Sequence, residues 1–111
     1  MTRVAEKTAH LDGLDGTRLF HRRFIPRRTR FQVVVSHGLG EHSGRYGHVV
    51  EALCPLGAGI WIHDHRGHGN SAGRRGHIRH FTDYVNDLQR VVERARSDPA
   101  GRLPLLLLGH S

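Results

Sequence analysis

Phe31-Gln-Val-Val-Val-Ser-His-Gly-Leu-Gly40 is the stretch on which the fold turns. It opens with a compact run of mostly β-branched residues, Phe31–Val35, and closes on a glycine-bearing turn. The same plan occurs twice more. Gly59-Ile-Trp-Ile-His63 runs into Asp64-His-Arg-Gly-His-Gly-Asn-Ser71, and Leu105–Leu108, preceded by Pro104, runs into Gly109-His-Ser111. Short apolar runs without alternation are the mark of strands buried on both faces, as in a parallel sheet.

Two helical patterns fill the gaps. Tyr46, Val49, Val50 and Leu53 fall at i, i+3, i+4 and i+7, with Pro55 and Gly57 closing the pattern. Phe81, Tyr84, Val85, Leu88, Val91, Val92 and Ala95 form one apolar stripe, which predicts a second helix with Thr82 as N-cap and Asp83 in the first turn. Ser97-Asp-Pro-Ala-Gly101 ends it. Upstream, strands near Ala9–Leu11 and Thr17–Phe24 flank the turn Asp12-Gly-Leu-Asp-Gly16, and Ile25-Pro26 with Arg27–Arg30 makes a polar connection. The order β-β-β-α-β-α-β reads as an α/β fold: antiparallel lead-in strands, then parallel β-α-β units with right-handed crossovers. At 111 residues the chain holds one modest core rather than two.

Composition narrows the function classes. No run reaches the roughly 18 consecutive apolar residues of a membrane span, and the N-terminus lacks the apolar core of a secretory signal. Cys54 is the single cysteine, so no intrachain disulfide can form and a cytoplasmic location is expected. The net charge of +7 raises the question of nucleic acid. All but Lys7 of the 17 basic residues are arginine, however, and they are scattered. The densest group, Arg22, Arg23, Arg27, Arg28 and Arg30, has Phe24 alone among it and no repeated aromatic interleaving for base stacking. A solvated basic surface is expected, and nucleic acid is not expected as a partner. A basic non-enzymatic module for nucleic acid or an anionic surface is the alternative class.

Ser111 follows an apolar strand directly, where open α/β sheets place their active sites. A nucleophilic serine on a sharp strand-to-helix turn needs small neighbours, in the pattern G-x-S-x-G, of which Gly109-His-Ser111 supplies the first three positions. The turn at Ser36–Gly40 can aim a backbone N–H at a neighbouring oxyanion, a donor worth about 10²–10³ in rate. An ordinary β-to-α turn is its bland alternative. His63, His65 and His68 beside Asp64 invite a metal reading, with His77 and His80 nearby. There is no second cluster of the usual ligand spacing, however, and Cys54 is remote, so no metal is expected. Gly67-His-Gly-Asn-Ser-Ala72 fits a dinucleotide fingerprint literally, but Gly-Arg-Arg-Gly follows where a helix must start. No cofactor is expected.

These segments, in this order, resemble the monoacylglycerol lipase and lysophospholipase group of α/β-hydrolases, from about Leu19 to Ser111. His37-Gly-Leu-Gly-Glu-His-Ser-Gly-Arg-Tyr46 resembles that group's oxyanion loop. Asp64-His-Arg-Gly-His-Gly-Asn-Ser71 with Gly73 resembles its D-x-R-G-x-G-x-S-x-G loop, and Leu105–Ser111 its nucleophile strand. The resemblance implies hydrolysis of a lipid-like or small acyl ester through an acyl-enzyme. It gives Ser111 as nucleophile and the Leu39 backbone N–H as half of the oxyanion hole. His37 and Gly38 shape that loop, and Asp64, Arg66 and Gly67 are structural. It also places the acid, the base, the lid and the second oxyanion donor downstream of Ser111. The chain as given is therefore expected to be an incomplete α/β-hydrolase domain, inactive alone, with Leu105–Leu108 an unpaired apolar edge. The substrate implied is a small-molecule or lipid ester, with at most peripheral membrane contact.

Overall fold

A computed structural model describes residues 4–111. The strands are β1 (Glu6–Asp12), β2 (Arg18–Phe24), β3 (Phe31–Ser36), β4 (Ala58–His63) and β5 (Leu105–Gly109), and the helices are α1 (Gly47–Leu53) and α2 (Phe81–Ser97). One mixed sheet holds all five strands in the order β1-β2-β4-β3-β5. The hairpin β1–β2 is antiparallel and joins β4 antiparallel, whereas β3 lies parallel to both β4 and β5. The lead-in hairpin and the parallel units thus stand as the sequence predicts.

The core is split by the sheet because successive residues of β3 and β4 face opposite sides. Val33, Val35, Ile60 and Ile62 pack with Tyr46, Cys54 and Ala58, and α1 adds Val49, Val50 and Leu53 at the margin. Val34 and Trp61 meet Val91 and Ala95 of α2 on the other side. Each valine or isoleucine among them fully removed from water stabilises the fold by about 1.5–3 kcal/mol. Gln32 is buried among them and fully used. Its Nε2 donates to the carbonyls of Ala95 and Ala100 at 3.1 and 3.2 Å, and its Oε1 accepts Trp61 Nε1–H at 2.7 Å.

Three expectations change. The N-cap of α2 is His80, in extended conformation and without a side-chain cap bond; Thr82 lies inside the helix, and Asp83 is in the first turn as expected. The apolar stripe of α2 is not covered along its whole length. Tyr84 already stacks on His65, past the end of β4, so the first turn overhangs the sheet and Phe81 is 74% exposed. Lastly, β5 is not buried on both faces as its run alone reads, but forms the apolar edge expected of Leu105–Leu108 in the chain as given. It pairs only with β3, at the sheet edge, and Leu106 and Leu107 are each 57% exposed.

Parallel register aligns the carboxyl ends of three strands. Ser36 pairs with His63 on one side and with Gly109 on the other. The turns that follow these residues therefore collect at one edge of the sheet, where a parallel arrangement leaves room for a site.

Candidate active site

Loop 37–40 and the His110–Ser111 dipeptide lie against each other at this edge. The N–H of His110 donates to the carbonyl of Ser36 at 3.1 Å, extending the β3–β5 ladder by one bond and leaving Ser111 exposed just beyond it. A Cβ on Gly38 would stand 2.9 Å from Glu41 Oε1, 3.0 Å from His110 Nδ1 and 3.4 Å from the His110 carbonyl, so a larger residue there would have to displace the Glu41 and His110 side chains. Gly38 N–H donates to Glu41 Oε1 at 2.7 Å and Gly40 N–H to His68 Nε2 at 3.1 Å. Between them, the N–H of Leu39 has no hydrogen-bond partner among the described residues. The Leu39 side chain is 77% exposed.

Histidines fasten this loop to the turn after β4. His65 N–H donates to His37 Nε2 at 2.9 Å, so His37 carries its proton on Nδ1, which faces the Gly38 carbonyl at 2.8 Å. His65 Nε2–H returns a bond to the His37 carbonyl at 2.7 Å. His68 accepts from Gly40 on Nε2 and so donates from Nδ1 to the Arg66 carbonyl at 3.1 Å. Burial holds His37 at about 4 and His65 below its ordinary range, which keeps the rings neutral as these bonds require.

At the end of β4 the ring centroids of His63 and His65 lie 5.2 Å apart, and those of His37 and His65 3.9 Å apart. Among the described residues, no group of three or more His, Cys, Asp or Glu is arranged to hold a metal ion. The acceptor nitrogens of His37 and His68, which a metal would need, are taken by backbone N–H groups.

The segment 64–71 is a brace. Asp64 is fully buried, and its carboxylate accepts Ser43 N–H at 2.6 Å and Asn70 N–H at 2.8 Å. Burial alone would raise this carboxyl, but the bonds from Asn70 and Ser43 outweigh it and hold it below the ordinary value. Gly69 has φ +50, and a Cβ there would stand 2.3 Å from Asp64 Oδ2. Ser71 Oγ donates to the Asp64 carbonyl at 2.6 Å and accepts Phe20 N–H at 2.8 Å. Arg66 reaches the buried Asp87 of α2 with Nε and Nη2, at 2.7 and 2.8 Å, and Asp15 of the β1–β2 turn at 2.8 and 3.1 Å. Its guanidinium is held protonated by Asp87 first and Asp15 second. The two glycines of the dinucleotide-like pattern thus serve a turn, and no helix opens between Ala72 and Phe81.

Glu41 and Tyr46 join the site without having been singled out as site residues from sequence. Glu41 Oε1 accepts Tyr46 O–H at 2.8 Å and Gly38 N–H at 2.7 Å, and His110 Nδ1 lies 3.1 Å away. The Tyr46 hydroxyl, then the Gly38 N–H, lower Glu41 to about 2. The carboxylate therefore ties loop 37–40 to the residue before Ser111. Its spacing from Gly38, three residues on, is the signal that could have found it: that reach suits a side chain bonding back to a turn N–H.

The fold and this edge define the class, an N-terminal portion of an α/β-hydrolase fold. The sequence pattern of the family described as serine aminopeptidase, S33, matches residues 27–111, and the chain belongs to that family. It is 43% identical over 103 residues to human monoglyceride lipase, covering 92% of this chain and 34% of that protein. To monoacylglycerol lipase of Mycolicibacterium smegmatis it is 39% identical over 100 residues, covering 89% of this chain and 35% of the relative. A soluble variant of Saccharomyces cerevisiae monoglyceride lipase, solved with a substrate analog, superposes with a TM-score of 0.80 at 25% identity, covering 100% of this chain and 36% of that one. A carboxyl esterase from Bacillus coagulans gives 0.77 at 28% identity, covering 96% and 36%. The chain spans about a third of the length of the curated relatives it matches, and so carries about a third of an α/β-hydrolase fold.

Proposed function

We propose that this chain supplies the nucleophile and half of the oxyanion hole of a serine ester hydrolase of monoacylglycerol lipase or lysophospholipase type. The observation that carries the reading is the unpartnered N–H of Leu39, held between two engaged N–H groups on a loop that touches the residue before Ser111. In the proposed reaction Ser111 Oγ loses its proton to a base and attacks the ester carbonyl carbon. The carbonyl oxygen becomes an oxyanion that accepts from Leu39 N–H, and such a preorganised donor is worth about 10²–10³ in rate. Collapse expels the alcohol, which takes up the proton, and water then releases the acid from the acyl-enzyme. His37 and Gly38 position the loop and touch no substrate.

The substrate proposed is an ester with an apolar acyl group. One observation supports it: relatives named as monoglyceride lipases. Cofactor, metal and nucleic acid have no part in this reading, membrane contact is at most peripheral, and the setting proposed is the cytoplasm.

Among the described residues no histidine or carboxylate hydrogen-bonds Ser111, and the neighbouring His110 directs Nδ1 to Glu41 instead. We therefore propose that residues 1–111 are an incomplete hydrolase domain, without lid or C-terminal half, whose acid and base come from elsewhere. Loss of such partners lowers turnover by up to about 10⁶. The test compares hydrolysis of a monoacylglycerol and a p-nitrophenyl ester by the full chain, meaning residues 1–111 with a C-terminal α/β-hydrolase half restored, by its Ser111→Ala variant, and by residues 1–111 alone. Turnover only in the first supports the proposal; undiminished turnover by Ser111→Ala would overturn it.

A further inference from the structure

A cleft of about 640 Å³ opens at the opposite edge of the sheet, where the parallel strands begin. It lies between the β1–β2 hairpin, residues 26–29 and residues 98–103, and its walls carry Lys7, Arg23, Arg27 and Arg102. Asp98 is the single carboxylate lining it, and that group accepts the N–H of Ala100 at 3.0 Å. Among the described residues none of these four cations forms a salt bridge. An adjoining cleft shares Pro26 and Arg27 and adds Arg28 and Arg30, so the positive surface continues beyond the first.

The placement of two of the cations is unfavourable for the sheet. Lys7 and Arg23 are direct register partners across β1 and β2. Like charges facing each other in that way destabilise a strand pair. Arg23 is also held in place, half-buried, with its guanidinium 5.7 Å from the Trp61 ring centroid. A steadied arginine, an opposed lysine and two further arginines around one concavity make a field that an anion would relieve. Guanidinium forks match phosphate oxygens two at a time. The volume is that of a small-molecule pocket, within the usual range of about 300–1,000 Å³.

We propose that this cleft is a binding site for a small anion carrying two or more phosphate groups. It is separate from the edge that bears Ser111: the length of β5 divides them, about 16 Å at the rise of a strand. The shared chemistry has two sources, a soluble polyphosphorylated molecule and the headgroup of a phosphorylated lipid.

Titration calorimetry of the full chain with tripolyphosphate at low salt tests the site. Binding is expected, weakened by added salt and weakened about tenfold by Arg27→Gln or Arg102→Gln. Both residues are exposed, so neither change endangers the fold. Arg79→Gln, an exposed arginine outside the cleft, is expected to leave binding unchanged. Co-sedimentation with phosphatidylcholine vesicles carrying a phosphoinositide separates the sources. Pelleting that tripolyphosphate reverses assigns the headgroup, and tripolyphosphate binding without pelleting assigns the soluble molecule. No tripolyphosphate binding at low salt, or an equal loss in Arg79→Gln and Arg102→Gln, would overturn the proposal. Binding by Ser111→Ala keeps this outcome independent of the hydrolase reading.

Discussion

His37 and His65 hold each other in a closed pair: the backbone N–H of His65 donates to His37 Nε2, and His65 Nε2–H donates to the His37 carbonyl, at 2.9 and 2.7 Å. The pair joins the ends of β3 and β4, and loop 37–40 is fixed from below by it. Donors aimed before the reaction begins need no reorganisation when charge develops, so the stiffness of this loop is the contribution of the histidines to the proposed chemistry.

Replacing His37 with Phe keeps a ring in place but removes the acceptor for His65 N–H, which is left buried and unpaired. The expected loss is about 1–3 kcal/mol of stability, read by urea denaturation of the full chain. A fall in ester turnover is expected with it, of about 10²-fold if the loop shifts by an ångström. Wild-type stability in His37→Phe would show that the pair does not fasten the loop.

Acid should loosen the fold at these same rings. Burial holds His37 at about 4 and His63 at about 3, against an ordinary 6.5. The unfolded chain binds more protons than the folded one below that ordinary value, so this stabilisation is complete above pH 6.5 and declines as pH falls toward 4. Urea midpoints are expected to drop across that window. Both His63 ring nitrogens are buried without partners, so His63→Leu should flatten the drop and add about 1 kcal/mol at pH 7. Destabilisation by His63→Leu at pH 7, with the drop unchanged, contradicts this account.

Arg66 and Asp87 form a pair with one fully buried partner. Arg66→Met strands the Asp87 carboxylate, and a loss of about 3 kcal/mol is expected. Adding Asp87→Leu should recover most of it, because both charges then leave together. Equal destabilisation of single and double variants would mean that the pair is not the source of the effect.

Gly69 and Gly16 both have positive φ, yet their surroundings differ. A Cβ at Gly69 meets Oδ2 of Asp64, whose carboxylate is fixed by two backbone N–H groups, one on each oxygen, whereas at Gly16 nothing lies within 4 Å. Gly16→Ala carries only backbone strain, about 1 kcal/mol. Gly69→Ala adds a clash that cannot be relieved without opening the brace, and should exceed it at least twofold in urea unfolding.

Much of the fold was legible because it is local. The apolar runs at β3 and β4 and the stripe of α2 report their own burial, and the glycine patterns mark where chain turns. What was not legible depends on register. Nothing in the segment from His63 to His68 says that Ser36 pairs with His63, and that pairing is what brings His37 against His65. The exposure of Phe81 follows from which neighbours a helix has, which an amphipathic count does not contain. Glu41 was missed as a site residue for the same reason, since its partners His110 and Tyr46 come together only in three dimensions.

The most direct measurement is covalent labelling of the full chain with a fluorophosphonate, followed by peptide mapping. The account predicts a single adduct on Ser111, lost in Ser111→Ala and slowed when the loop is disturbed by Gly38→Ala. An adduct on another residue, or labelling that survives Ser111→Ala, would contradict it.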